Sequence, residues 1–307
     1  METAGRDPGS CAVCGGSGLE GLFFRHGQRV WRCRSCGVRF LHPQPGDAVL
    51  QSIYTDGYFL GGDDAEGRAR TAALKAATAA LYLDRLGAFR GEDRGRLLEV
   101  GCGDGWLLAE AQARGYDVSG AEISAHAAEE ANRRLGGPRV AGGSLEDMPL
   151  PEAAFDAVVC ADVVEHVRSP LPFLRRLQKA LRPGGALLLV TPSLDSWSAR
   201  VLRRHWMEYK VEHLFYFGSR SLHLALRAAG FEEVRIEANR KVLTLDYVAH
   251  HFRRFRVPLI SSGVGLARRA LPSSLAQRPM RIPAAGMAAL ARRPRGPRGS
   301  NWRIPGE

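Results

Sequence analysis

Apolar and polar positions along this chain fall into blocks whose lengths and periods alternate between strand and helix. Leu97, Leu98 and Val100 form a short apolar run, interrupted by Glu99, of the kind a strand buried in a parallel sheet needs. Gly101, Gly103 and Gly105 follow at alternate positions, and Trp106, Leu107, Leu108 and Ala109 open a helical pattern. Residues 117–121 predict a second strand with Glu122 at its C-terminal end, and a helix starts from Ser124. Residues 155–160 (FDAVVC) read as a fourth strand with an almost purely apolar interior. Residues 169–181 carry Leu171, Phe173, Leu174, Leu177 and Leu181 at helical spacing and stop at Arg182-Pro183-Gly184-Gly185. A fifth strand over 186–191, a helix over 221–229 and a sixth strand over 233–238 complete the series. A further helical pattern over 70–86 presents Leu74, Leu81, Tyr82 and Leu86. Strands alternating with helices predict an α/β fold around a parallel sheet.

A strand, a glycine turn and a helix start form the usual cradle for a nucleotide-like ligand in such a sheet. Its spacing argues against a dinucleotide, whose phosphate loop reads G-x-G-x-x-G. Here the pattern is E-x-G-x-G-x-G, with Glu99 inside the strand and Asp104 in the loop. Carboxylates would repel a pyrophosphate and attract a cationic, phosphate-free ligand. The stretch resembles the first motif of class I S-adenosylmethionine (SAM) methyltransferases, whose cofactor carries an amine and a sulfonium. The resemblance implies a Rossmann-like, seven-stranded class I methyltransferase sheet.

It also implies a cofactor site. Glu99, Gly101, Cys102, Gly103 and Asp104 belong to its glycine loop, Glu122 and Ile123 to the end of the second strand, and Ala161 to the end of the fourth. Glu122 can accept hydrogen bonds from both ribose hydroxyls; its alternative role is to cap the helix from Ser124. Residues 143–151 (GSLEDMPLP) resemble the adenine-contacting loop. Relatives often have an acid where Ser144 stands, so the backbone of Leu145 and the side chain of Glu146 are the expected contacts. His166 follows the fourth strand and either orients cofactor or substrate or, paired with Glu165, braces the loop. Residues 206–217 (WMEYKVEHLFYF) resemble the E-H-x-x-Y-F segment of sugar C-methyltransferases, with Lys210 where those enzymes have a tyrosine. His213 is thereby the expected base, Glu212 its orienter and His166 a reserve; the alternative for His213 is a core histidine anchoring the loop. An imidazole suits the task because its pKa near ~6.5 leaves it a competent base at neutral pH.

Cys11-x2-Cys14 and Cys33-x2-Cys36 sit on Gly-containing knuckles (Gly15, Gly37). Four thiolates at this spacing suit a closed structural Zn2+ site; two disulfides are the alternative, disfavoured in a cytosolic chain. Phe23, Phe24, Val30 and Trp31 supply a small hairpin, so residues 1–45 read as a zinc ribbon. Cys102 and Cys160 read as core thiols. A linker and helical cover span 46–90, in which Tyr54 and Tyr58 either form a lid or tie ribbon to core. Ribbon, Tyr-x3-Tyr-Phe segment and core together resemble bacterial methyltransferases of the methyltransferase-23 type, which act on small molecules, sugars and glycoconjugate precursors.

The methyltransferase domain is expected over 91–294, its seventh strand returning antiparallel near 287–291. That leaves 239–286 as a basic amphipathic insertion, suited to an anionic membrane surface or an acidic acceptor, or else a solvated helical cover. Residues 295–307 read as a disordered basic tail. The net charge of +11 is unevenly spread, since residues 247–306 contain twelve arginines, no lysine and no acid. The catalytic body is therefore neutral, which favours a small-molecule or sugar acceptor over nucleic acid. An RNA methyltransferase using ribbon and tail is the runner-up, and a non-catalytic SAM-binding scaffold the reading of another class. No apolar run approaches a membrane span and no signal-peptide core opens the chain, so the expected location is cytoplasmic.

Overall fold

The structure, a computed structural model, describes residues 7–53, 65–91, 93–144, 146, 148–254 and 260–296. Tyr54, Tyr58, Leu145 and the last eleven residues lie outside these. The chain first forms a small antiparallel sheet: β1 (Leu19–Arg25) and β2 (Gln28–Cys33) make a hairpin, and β3 (Arg39–His42) pairs with β2. Successive residues face opposite sides of a strand, and here both sides are covered. The Val30–Leu41 pair packs with Trp206, Tyr209 and Tyr216, while Trp31 and Phe40 join the main core.

After a short helix α1 (Asp47–Gln51) and the long α2 (Ala65–Arg90), the expected alternation begins. It runs β4 (Arg96–Val100), α3 (Trp106–Ala113), β5 (Asp117–Glu122), α4 (Ala125–Leu135), β6 (Val140–Gly142), β7 (Phe155–Ala161), α5 (Pro170–Ala180) and β8 (Leu181–Pro192). Helix α6 (Trp197–Leu202), the two-residue β9 (Phe215–Tyr216), α7 (Ser219–Ala228), β10 (Glu232–Leu243), α8 (Leu245–Arg254), α9 (Ile260–Ala270), α10 (Ser273–Ala276) and β11 (Met280–Arg292) follow. The large sheet has seven strands in the order β10-β11-β8-β7-β4-β5-β6, parallel except for β11, which is antiparallel to both neighbours. Leu98, Val100, Val158 and Cys160 face α5 and α7; Leu97, Ala157 and Val159 face α2, α3 and α4. Strand order reverses at β4, so the crevice at the carboxyl ends of β4 and β7 is where this architecture binds ligands.

Three expectations about boundaries change. Strand β8 begins at Leu181, because Phe155 pairs with it and Pro183-Gly184-Gly185 forms an irregularity within the strand instead of a separate turn. The closing hairpin is longer on both arms, down to the Leu243↔Met280 pair, so the insertion spans 244–279 and not 239–286. Residues beyond Ala238 are held extended by α2: Val242 N–H donates to Thr78 Oγ1 (3.0 Å) and Asn239 Nδ2 to Tyr82 Oη (3.0 Å). No apolar alternation in the sequence reveals such partners. Finally, the ribbon sheet gains β9 from the second half of the chain, through Arg39↔Tyr216 and Phe40↔Phe215.

Candidate active site

At the end of β4 the chain turns through Gly101 and Gly103 with φ of +74° and +53°, angles at which a side chain is strained. A Cβ on Gly103 would meet no atom within 4 Å, so the loop borders open space. Two buried carboxyl groups lie under it. Glu99 is 5 % exposed and its Oε2 has no hydrogen-bond partner. Glu122 accepts from Gly103 N–H (2.8 Å) and Ser124 N–H (3.0 Å), so the acid that could serve ribose also caps the following segment. Burial pushes Glu99 well above the usual carboxyl range, and the neighbouring Glu122 and Asp104 push it further. Burial also raises Glu122, against the pull of its backbone donors. Asp104 differs from the other two: Lys75 Nζ (3.0 Å), Trp106 Nε1 (2.9 Å) and Arg134 Nη2 (3.5 Å) surround it. Glu99 and Glu122, by contrast, have no side-chain cation paired with them among the described residues, and their raised values mark the cost of charging them there.

The flanking positions divide. Ile123 leaves an apolar side chain exposed beside Glu122, and Ala161 stands half-buried at the end of β7. The Cys102 thiol is buried beneath Gly120, leaving its backbone to the loop. Ser144 is exposed and its carbonyl accepts from Met148 N–H (2.9 Å). Glu146, expected to contact adenine, has its Oε1 accepting from Arg168 N–H (2.7 Å) and Ser169 N–H (3.3 Å). Ser169 provides no side-chain cap for α5, and the otherwise orphaned amide groups take the nearest acceptor.

Beyond β7 two histidines meet. His166 Nδ1 lies 3.0 Å from the Glu212 carbonyl, and His213 Nδ1 lies 2.9 Å from the Glu208 carbonyl. A carbonyl only accepts, so both rings carry their proton on Nδ1 and keep the Nε2 lone pair. The rings are 4.6 Å apart, edge to face. Burial holds both below the usual imidazole value: His166 to about 4, lowered further by Lys210, and His213 well below, helped by His166 and Lys210. Glu212 is not the orienter expected from its place in the motif. Adjacent residues in a turn point apart, so the Glu208 carbonyl, five residues earlier, reaches the His213 ring. Glu165 joins the two segments, its carbonyl accepting from Leu214 N–H (2.7 Å) and Phe215 N–H (3.1 Å) and its carboxylate from Thr191 Oγ1 (2.9 Å). Sequence reasoning missed the Asp162–Lys241 pair (2.8 Å) beside His166. Asp162 has φ of +56°, rare for a residue with a side chain, but no sequence signal marks it.

Comparison with known proteins places this geometry. A family model described as a methyltransferase domain matches residues 70–236, more than half of the chain. The chain belongs to this methyltransferase family. A ubiquinone biosynthesis O-methyltransferase of Schizosaccharomyces pombe is 38% identical over 32% of this chain and 38% of its own. A tRNA U34 carboxymethyltransferase of Azotobacter vinelandii is 34% identical over 46% of each chain. The chain thus spans less than half the length of these curated relatives. Among solved structures, phosphoethanolamine N-methyltransferase 2 of Haemonchus contortus shares the fold, with a TM-score of 0.53 and 17% identity over 83% of this chain and 62% of that one.

The residues of this chain fit SAM. An unpartnered carboxylate oxygen on Glu99, a second acid on Glu122 and a glycine loop with room above it suit a ligand bearing ammonium and sulfonium charges. Such a ligand relieves the repulsion between the two acids. Glu99→Gln is therefore expected to raise the melting temperature of the cofactor-free protein while weakening SAM binding by calorimetry. The sign follows from linkage: a carboxyl raised on folding stabilises below its unfolded pKa, and that stability is lost as pH rises through the folded value. The gain from Glu99→Gln should accordingly grow from mildly acid to neutral pH. A variant that neither melts higher nor binds SAM more weakly would remove Glu99 from the site.

The ribbon end of the chain carries a second candidate centre. Cys11 and Cys36 Sγ are 3.7 Å apart and Cys14 and Cys33 Sγ 3.5 Å, with all four atoms within 4.8 Å of one another. A disulfide needs about 2.05 Å, so the cysteines are free thiols. A tetrahedron with Zn–S bonds of ~2.3 Å has edges of ~3.8 Å, close to both spacings. Crowding separates the thiols: the Cys36 hydrogen bond lowers Cys11 to about 5, while burial lifts Cys14 to about 11. A central cation suits such a set. The ribbon also grips the His213 segment: Arg39 Nη1 donates to Tyr209 Oη (2.5 Å), His26 Nε2 to the Tyr209 carbonyl (3.0 Å), and Leu41 N–H to the Leu214 carbonyl (2.9 Å).

Proposed function

We propose that the protein transfers a methyl group from SAM to an oxygen, or else a carbon or nitrogen, of a small-molecule, sugar or glycoconjugate acceptor. The observation that carries this reading is the contact between two neutral imidazoles at the carboxyl end of β7, beside the acidic glycine loop. Glu99 and Glu122 hold the donor's positive charges and ribose, and Ile123 offers an apolar surface to its base. When bound, SAM supplies a methyl carbon activated by the sulfonium that leaves with the bonding pair. The chain's own work is alignment, which contributes up to roughly 7–11 kcal/mol, and removal of the acceptor's proton. His213 takes that proton on Nε2, with the Glu208 carbonyl fixing its tautomer and His166 packing against its ring. Among the described residues no helix is long and apolar enough to cross a membrane.

Because burial lowers both imidazoles, the acid limb of kcat at saturating SAM should lie below pH ~6.5. A limb at or above that value would exclude them as the base. The acceptor itself is tested by incubating the protein and methyl-labelled SAM with a cell extract, before and after nuclease digestion. Label moving into small, nuclease-resistant products supports the proposal. Label lost with the nuclease would favour RNA, the second reading, which rests on the tRNA-modifying relative and the arginine-rich C-terminal part. Absence of transfer with intact SAM binding would favour a scaffold.

A further inference from the structure

The arginines of the C-terminal part share their surface with apolar side chains that nothing among the described residues covers. Leu266 on α9 is 70 % exposed, and Leu271, Leu275 and Met280 are exposed between α9 and β11. On α6, Trp197 and Val201 are four residues apart, therefore on one helix face, and both are open to solvent. Helix α6 packs on β11, so the two groups flank the same strand. Arg269, Arg278 and Arg281 are exposed among the first group, Arg200, Arg203 and Arg204 around the second. Opposing charge is scarce. Between Asp246 and Glu307 the sequence has no acid, and Asp246 itself pairs with Arg268. Near α6, Asp195 is occupied by Ser219 N–H (2.6 Å) and Glu208 by Lys210 (3.2 Å).

The location connects this surface to the candidate active site. Lys241, which pairs with Asp162 at the end of β7, lies opposite Ile282 on β11. Met280 is two residues further out, about 7 Å along an extended strand. The apolar and basic surface therefore starts beside the mouth of the crevice holding His166.

We propose that this face docks on an anionic lipid bilayer, and that the acceptor is an amphiphile whose polar head enters the crevice while its chain stays in the membrane. Exposed aliphatic groups ringed by arginines and free of acids match an interface that is apolar inside and negatively charged at its rim. RNA fits less well, because single strands are held by stacking on successive aromatic rings, and of these six exposed side chains Trp197 alone is aromatic. The acceptor part rests on the methyltransferase reading; the docking part does not.

The test is flotation of the full chain with vesicles of phosphatidylglycerol and phosphatidylcholine in equal parts, against vesicles of phosphatidylcholine alone, with total tRNA as a competitor. The protein should float with the anionic vesicles only, and less so as salt rises. Leu266→Ser and Leu275→Ser should each lower the partition about tenfold, and Arg269→Gln and Arg278→Gln about fivefold each. SAM affinity and melting temperature should stay unchanged in all four. Failure to float with anionic vesicles, or leucine variants that float as well as the parent, would overturn the proposal. So would tRNA that strips the protein from vesicles and binds the leucine variants with unaltered affinity. Loss of SAM binding in the parent protein would instead overturn the methyltransferase reading, whatever the vesicles show.

Discussion

Replacing His213 with alanine is expected to lower kcat by about 10^2–10^4, the usual contribution of a positioned base, and to leave SAM affinity in place. The ring is buried and its Nδ1 is committed to the Glu208 carbonyl, which leaves Nε2 as the basic atom, whereas the acids beneath the glycine loop belong to a different strand end. His213→Asn tests the same point with the packing partly kept, since its amide can still donate to the Glu208 carbonyl. His166→Ala should show a smaller loss, and the double variant should be little worse than His213→Ala, because residues in contact act as a unit. Single-turnover rates with the physiological acceptor, once identified by the extract experiment, check this series. Normal turnover in both His213 variants would remove the imidazole from the mechanism.

Stripping zinc should have an effect of comparable size through a longer route. Structural zinc contributes on the order of 10–16 kcal/mol of apparent binding energy to small domains, and the ribbon has little else: three short strands and two covered faces. Both faces lie on other parts of the chain, one on Trp206, Tyr209 and Tyr216 and one on the main core. Unfolding the ribbon therefore frees β9 from β3 and releases Tyr209 from Arg39 and His26. Chelation, or Cys11→Ser with Cys36→Ser, is expected to lower kcat sharply. Hydrogen exchange should rise over residues 206–217 while the amides of β4 and β7 stay protected and SAM still binds. Unchanged exchange in that segment would make the ribbon an independent appendage.

The candidate site shows where local sequence carries information. The glycine loop was legible because its residues are contiguous and each type has a local reason: glycines for a turn at positive φ, an acid in a strand for a cationic ligand. His166 and His213 could be singled out, but not their contact, since 46 residues separate them and a Glu165 carbonyl bonded to Leu214 and Phe215 brings them together. Glu212 and Glu146 have surroundings that their sequence neighbours do not suggest. Neighbouring letters suggest partnership, whereas hydrogen-bonding groups pair with whatever the fold places within 3 Å. Glu146 serves the bare amides before α5, and His213 leans on the Glu208 backbone. Lys241 was hidden inside a supposed insertion, because contacts to Thr78 and Tyr82 keep its strand extended.

The sequence alone determined the alternating strands and helices, the acidic glycine cradle, the four-thiolate set and the charge imbalance of the C-terminal part. All of these are local properties of composition and period. Tertiary structure decided which carboxylates lack a paired cation, which carbonyl orients each imidazole, and that β9 joins the ribbon to the segment bearing His213. Those outcomes depend on pairings between distant segments, where packing and the need to satisfy every buried polar group outweigh local preference.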